Sequence, residues 1–136
     1  MNTRCQRRSF LGFLTAAAAA VAALGPFRLI ARGAEKWVSV GNVDDFAVGE
    51  TARIEGEKLY IFRSEEGFTA LSGKCTHMGC FVDRIADGSF ECPCHGATYD
   101  ETGAVTKGPA DEDLVWRPVR VESGELLVDV KGAVDR

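Results

Sequence analysis

Four of the five cysteines and both histidines of this chain fall between Cys75 and His95. They form two compact pairs, Cys75-x-His77 and Cys92-x-x-His95, separated by fourteen residues. Each pair offers one thiolate and one imidazole, so two such loops brought together would present two sulfurs and two nitrogens at one point. Three chemistries can use that set. Zinc accepts both ligand types, although its usual spacings place two cysteines in one pair. A 2Fe–2S cluster with two cysteines on one iron and two histidines on the other needs these four ligands. A disulfide scaffold uses the even number of cysteines left once Cys5 is set aside, but leaves both histidines idle.

The elements that must position these loops are short and β-rich. Runs of strand-forming residues occur at Trp37–Val40, Thr51–Ile54, Leu59–Phe62, Phe68–Ser72, Leu114–Val121 and Leu126–Val130. Between them stand dipeptides able to supply positive φ in tight turns: Glu55-Gly56, Glu66-Gly67, Asp87-Gly88, Thr102-Gly103 and Ser123-Gly124. No helix-period segment of useful length follows residue 33. Regular short strands joined by hairpins predict an all-β sandwich or partly open barrel, with each ligand pair at the tip of a hairpin-like loop. Pro118 lies inside one of the runs, which predicts an edge strand or a bulge there.

Charge divides the chain in two. Residues 1–33 hold five arginines and no acid, whereas residues 34–136 hold all twenty acids against eleven Lys and Arg, a formal balance of about nine negative charges. Such a surface argues against nucleic acid as a partner and suits a basic or neutral one. The first 33 residues read as a targeting segment: a basic start, then an apolar run from Phe10 to Leu24 broken by Gly12 and Thr15. Arg7-Arg8-Ser9-Phe10-Leu11 resembles the twin-arginine export motif. That route carries proteins already folded, often around a cofactor, so the signal itself hints at a metal centre. Fifteen apolar residues fit a signal core and fall short of the roughly twenty that span a bilayer. Ala31-Arg32-Gly33 offers a small-x-small cleavage pattern, so cleaved leader and retained anchor both stand. Cys5 precedes the apolar run and has no assigned role. The organisation expected is a signal or signal-anchor over 1–33 and one domain over 34–136.

Cys75-Thr-His-Met-Gly-Cys80 and Cys92-Pro-Cys-His-Gly-Ala-Thr-Tyr-Asp100 closely resemble the two binding boxes of the Rieske family. The similarity extends to the approach from Gly67, to Lys107–Ala110, and to the strand-rich tail, covering nearly all of residues 36–130. The resemblance implies an antiparallel Rieske fold with a cluster-binding subdomain at about 73–110. It also implies one 2Fe–2S cluster, with Cys75 and Cys92 on the inner iron and His77 and His95 on the outer one. Neutral imidazole in place of thiolate makes such a cluster easier to reduce, by roughly several hundred millivolts. Ring protons on the outer iron's ligands are expected to bind more tightly after reduction, so that electron and proton arrive together.

Further positions follow from the resemblance. Cys80 and Cys94 stand where quinol-oxidising members carry a disulfide tying the two loops together, which agrees with export into an oxidising compartment. Tyr99 stands where the family's tyrosine donates to a ligating sulfur. Ala97 replaces the serine that donates to a cluster sulfide in high-potential members, which predicts a lower potential suited to a low-potential donor such as menaquinol. Met78 replaces the usual leucine beside His77. Gly108, Pro109 and Ala110 match the loop that shields the cluster. The acidic run Asp111-Glu112-Asp113 reads as a solvated face, or as a means of steering a basic acceptor such as a c-type cytochrome.

The function expected is one-electron transfer on the periplasmic side of a cytoplasmic membrane, as the iron–sulfur subunit of a quinol–cytochrome c oxidoreductase of the cytochrome bc type. Alone, such a domain carries electrons and catalyses nothing. Its partners would be quinol-oxidising membrane subunits and a c-type cytochrome. The small Rieske subunit of an arsenite-oxidase-type molybdenum enzyme is the alternative. An exported zinc-binding module is the third reading.

Overall fold

The computed structural model describes residues 34–135; the expected targeting segment and Cys5 lie outside the described residues. Eleven strands and one short 3-10 turn make up the described residues: β1 (Trp37–Asn42), the turn (Val43–Asp45), β2 (Thr51–Ile54), β3 (Leu59–Ser64), β4 (Gly67–Ser72), β5 (Asp83–Arg84), β6 (Phe90–Glu91), β7 (Thr98–Tyr99), β8 (Val105–Lys107), β9 (Trp116–Arg117), β10 (Val119–Glu122) and β11 (Glu125–Asp129). They build three antiparallel sheets, ordered β1-β11-β10, β2-β3-β4-β9 and β5-β6-β7-β8. The all-β expectation holds.

The middle sheet is buried on both faces, and the period-two alternation of β3 and β4 explains how. Leu59, Ile61 and Ala70 join Phe46, Leu126 and Val128 in one apolar cluster. Their neighbours Tyr60 and Leu71 point the other way, into a second cluster with Cys75, Val82, Phe90, Cys92, Ala97, Tyr99, Ala110 and Leu114. The base of the domain and the ligand-bearing loops are thus packed on opposite faces of one sheet.

Pro118 marks a switch of sheets, and the strands on either side of it, β9 and β10, are both edge strands, as expected. The run expected over Leu114–Val121 divides there, with β9 pairing with β4 in the middle sheet and β10 pairing with β11 in the three-stranded one. Proline has no N–H to continue a ladder, yet its carbonyl still accepts from Asp129 N at 3.0 Å. The expected turns also differ in one detail. Gly67, Gly88, Gly103 and Gly124 adopt positive φ, but in the β2–β3 turn that conformation falls on Lys58 (φ 53°) instead of Gly56.

Two polar arrangements fasten the fold. Tyr60 reaches from β3 to β5: its hydroxyl donates to Val82 O (2.8 Å) and accepts from Arg84 N (3.0 Å) and Arg53 Nη1 (3.0 Å). Arg53 also holds Asp83 at 2.6 Å and lies 3.9 Å over the Phe81 ring. Asp129, buried at the end of β11, accepts from Lys36 N (2.8 Å) and Lys131 N (3.1 Å). A Cβ at Gly132 would collide with the Asp129 carboxylate, so glycine is what allows the chain to wrap it this closely. Burial alone would push the Asp129 carboxyl up; the backbone donors of Lys36, Lys131 and Gly132, with the Arg117 charge, bring it below the usual carboxylate range.

Two outcomes follow. Tyr60→Phe keeps the ring and removes the hydroxyl from three partners, so denaturant unfolding should show a loss of about 1–3 kcal/mol; an unchanged midpoint would dismiss the clamp. Because the carboxyl of Asp129 titrates lower when folded, its contribution is complete above the unfolded carboxylate value and fades as pH falls through the folded one. Thermal unfolding followed below about pH 4 should show a shallower acid loss in Asp129→Asn than in the native chain.

Candidate metal centre

The two ligand-bearing loops close in the same way. In the first, Cys75 N donates to Cys80 O (2.8 Å) and Gly79 N donates to Cys75 O (2.8 Å). In the second, Cys92 N donates to Ala97 O (2.8 Å) and Gly96 N donates to Cys92 O (2.9 Å). Gly79 and Gly96 hold φ of 76° and 71°, which favours glycine four residues after each cysteine. The shared pattern Cys-x-x-x-Gly is the sequence signal that both loops fold alike.

These loops bring the expected residues to one place. The His77 and His95 rings are 5.0 Å apart, nearly perpendicular, and both residues are exposed. Cys75 and Cys92 are free thiols buried in one apolar cluster. Cys80 and Cys94 are joined by a disulfide. The sulfurs of Cys80, Cys92 and Cys94 lie within 4.8 Å of one another, but two of them are consumed by that bond, so this trio is no ligand set. What is left is two buried thiols and two exposed imidazoles, a donor set whose chemistry fits a 2Fe–2S cluster with asymmetric ligation.

Tyr99 ties the loops from below. Its hydroxyl lies 3.3 Å from Cys75 Sγ and 3.1 Å from Thr76 Oγ1, and accepts from Thr76 N at 3.3 Å. With Cys75 as a thiolate, the phenol must be the donor of that pair. Burial pushes the Cys75 thiol up, but hydrogen bonds from Tyr99, from the His77 and Met78 backbones and from Cys92 carry it below its ordinary value. Burial and the neighbouring Cys75 hold the Cys92 thiol up, only partly relieved by the backbone donors of Cys94 and His95. Burial and the Cys75 partner likewise raise the Tyr99 phenol, keeping it protonated as a donor.

The segment after β8 is fastened to the same network. Thr76 Oγ1 donates to Glu112 O at 2.7 Å, and Asp113 Oδ1 accepts from Val105 N at 2.8 Å. The acidic run expected as a solvated face thus has two structural anchors, although its three side chains stay exposed. Ala110 is buried in the cluster that contains Cys75 and Cys92, while Gly108 and Pro109 are exposed. Ala97 is fully buried in the second loop. Met78, 70% exposed, stands beside His77 as an uncovered apolar surface. Thr76 and Lys58, whose ammonium donates to Gly79 O at 2.7 Å, were missed in the sequence because neither contact is local.

An all-β domain with two looped Cys/His pairs, a disulfide between the loops and a tyrosine at one sulfur defines a Rieske iron–sulfur domain. Residues 36–123 match the Rieske 2Fe–2S domain, and the chain belongs to that family, in its disulfide-containing type. Its cofactor is one 2Fe–2S cluster. The chain is 32% identical to the cytochrome b6-f complex iron-sulfur subunit of Chlorobaculum thiosulfatiphilum over 138 residues, covering 90% of this chain and 75% of that one. It is 36% identical to cytochrome b6-f complex iron-sulfur subunit 2 of the Cyanophora paradoxa cyanelle over 91 residues, covering 64% and 37% respectively. The cyanobacterial plasma membrane Rieske protein of Synechocystis PCC 6803, a solved structure, is 36% identical with a TM-score of 0.49, covering 67% of this chain and 97% of that one.

Removing the Tyr99 hydroxyl should destabilise the more negative, reduced cluster. A difference of about 1 kcal/mol between redox states corresponds to roughly 40 mV for one electron. An EPR-monitored redox titration should therefore find Tyr99→Phe lower than the native chain by that order, and Ala97→Ser higher. A rise in Tyr99→Phe would contradict the donor role.

Proposed function

We propose that this chain is the iron–sulfur subunit of a quinol–cytochrome c oxidoreductase of the cytochrome bc type. The carrying observation is the pair of exposed imidazoles, 5.0 Å apart, on two disulfide-joined loops that each also carry a buried free thiol. The names of its cytochrome b6-f relatives support the choice of complex.

Cys75 and Cys92 would hold the inner iron in this reading, and His77 and His95 the outer one. The bound cluster supplies one-electron acceptance at a raised potential. The chain's own residues do the rest. Tyr99 orients the Cys75 sulfur, and the disulfide keeps both tips in register. Burial of the thiols excludes water from the inner side. The exposed rings leave the outer side open to a hydroquinone hydroxyl, and the exposed Met78 lies next to it as apolar contact surface. The acidic domain then presents a face suited to a basic electron acceptor, such as a c-type cytochrome. Twin-arginine export and an N-terminal signal or anchor belong to the same proposal, which places the domain on the periplasmic side of the membrane.

Membranes from cells lacking the chain provide the test. Quinol-dependent cytochrome c reduction should be lost, restored by the native chain, and not restored by His95→Ala. Intact quinol-dependent reduction in those membranes, together with loss of a molybdenum-enzyme activity such as arsenite oxidation, would replace this reading with the alternative one.

A further inference from the structure

Two clefts open on one flank of the first ligand loop. The nearer, of about 400 Å³, reaches Cys75, Thr76 and His77. The farther, of about 280 Å³, reaches Glu57 and Lys58. Ser72, Lys74 and Arg117 line both, so the two form one continuous groove ending beside His77. In a domain of strongly acidic balance, this groove gathers three cations, Lys58, Lys74 and Arg117, against one carboxylate, the exposed Glu57 at its far end.

The donors here are rich and their protein acceptors few. None of the three cations forms an ion pair among the described residues. Lys74 is exposed, and its ammonium has no partner among them. Arg117, partly buried, uses Nη1 on Gly132 O at 2.6 Å, leaving its other guanidinium donors open. Asp129 is the carboxylate that acts on it, and that group is already occupied by backbone donors. Ser72 lines both clefts. It is 6% exposed, its oxygen accepts from Lys74 N at 3.4 Å, and its proton has no protein acceptor among the described residues. A nearly buried hydroxyl that still has a proton to give shares this groove with a free ammonium and an incompletely used guanidinium, a set of donors suited to an oxygen-bearing anion.

We infer that this groove is a binding site for a small oxyanion of the phosphate class, held by Ser72, Lys74 and Arg117. Burial lowers the Arg117 pKa from its ordinary value, with Asp129 only partly opposing, so a bound anion relieves an uncompensated charge. Its negative charge would lie beside the first ligand loop and disfavour the added electron. By linkage, the oxidised protein then binds the anion more tightly than the reduced one, by the same factor as the shift in its redox equilibrium. Anion binding rests on the groove alone, whereas its effect on potential also rests on the ligand assignment proposed above.

The test is a calorimetric titration of the cluster-loaded full chain with inorganic phosphate, at ionic strength held constant with chloride. Saturable one-to-one binding is expected. Lys74→Gln should weaken it about fivefold or more, and Ser72→Ala should weaken it too, while Lys36→Gln, outside the groove, should leave it unchanged. Equal loss in Lys36→Gln, no loss in Lys74→Gln, or no saturation would overturn the site. In a parallel redox titration, phosphate should lower the midpoint of the native chain and not that of Lys74→Gln. An unmoved midpoint with phosphate bound would overturn the coupling and leave the binding result standing.

Discussion

The disulfide between Cys80 and Cys94 is the constraint on which the site depends. Each ligand loop closes on itself through two backbone hydrogen bonds around a left-handed glycine, but nothing in that local closure fixes one loop against the other. The disulfide does so at the outer rim, and the Tyr99 hydroxyl does so at the inner one, through Cys75 and Thr76. A cross-link closing a loop of this length restricts the unfolded chain by about 3 kcal/mol in the chain-entropy account. More important for function, it sets the separation of two imidazoles on different loops. The rest of the domain supports the loops from behind, with the Tyr60 clamp joining β3 to β5.

Burial and exposure are divided so that each ligand type has the environment it needs. The thiols lie inside an apolar cluster, where negative charge is costly unless donors surround it. For Cys75 those donors are Tyr99 and two backbone N–H groups; for Cys92 they are the backbone groups of Cys94 and His95. The imidazoles need no such compensation when neutral, and they stand at the surface. The same economy of charge explains why the cationic groove is notable. It is a local reversal of sign on an acidic domain, and it lies against the first loop rather than at a distant face.

Much of this was legible in the sequence, and the reasons differ by element. The long strands announce themselves because both faces of the middle sheet are apolar, so Leu59–Phe62 and Phe68–Ser72 read as strands without context. The strands β5 to β8 are two or three residues long and carry no periodicity; they exist because the loops they flank are closed. The resemblance of the two boxes located the site; the fold sets His77 against His95 and buries Cys75 and Cys92 in one cluster. Contacts across long sequence separations were invisible: Lys58 to Gly79, Thr76 to Glu112, Tyr60 to Val82. The sheet switch at Pro118 was half legible, since a missing donor predicts an interrupted ladder but not where the chain goes next.

The central claim is that two histidine nitrogens and two cysteine sulfurs hold one cluster. Pulsed EPR on the reduced, cluster-loaded full chain, with nitrogen-15 introduced in histidine alone, measures this directly. Strong couplings to two histidine nitrogens, reduced to one in His77→Ala or His95→Ala where the cluster survives, are the result this account predicts. A cluster signal without histidine coupling, or a metal site that holds zinc and shows no signal on reduction, would contradict it.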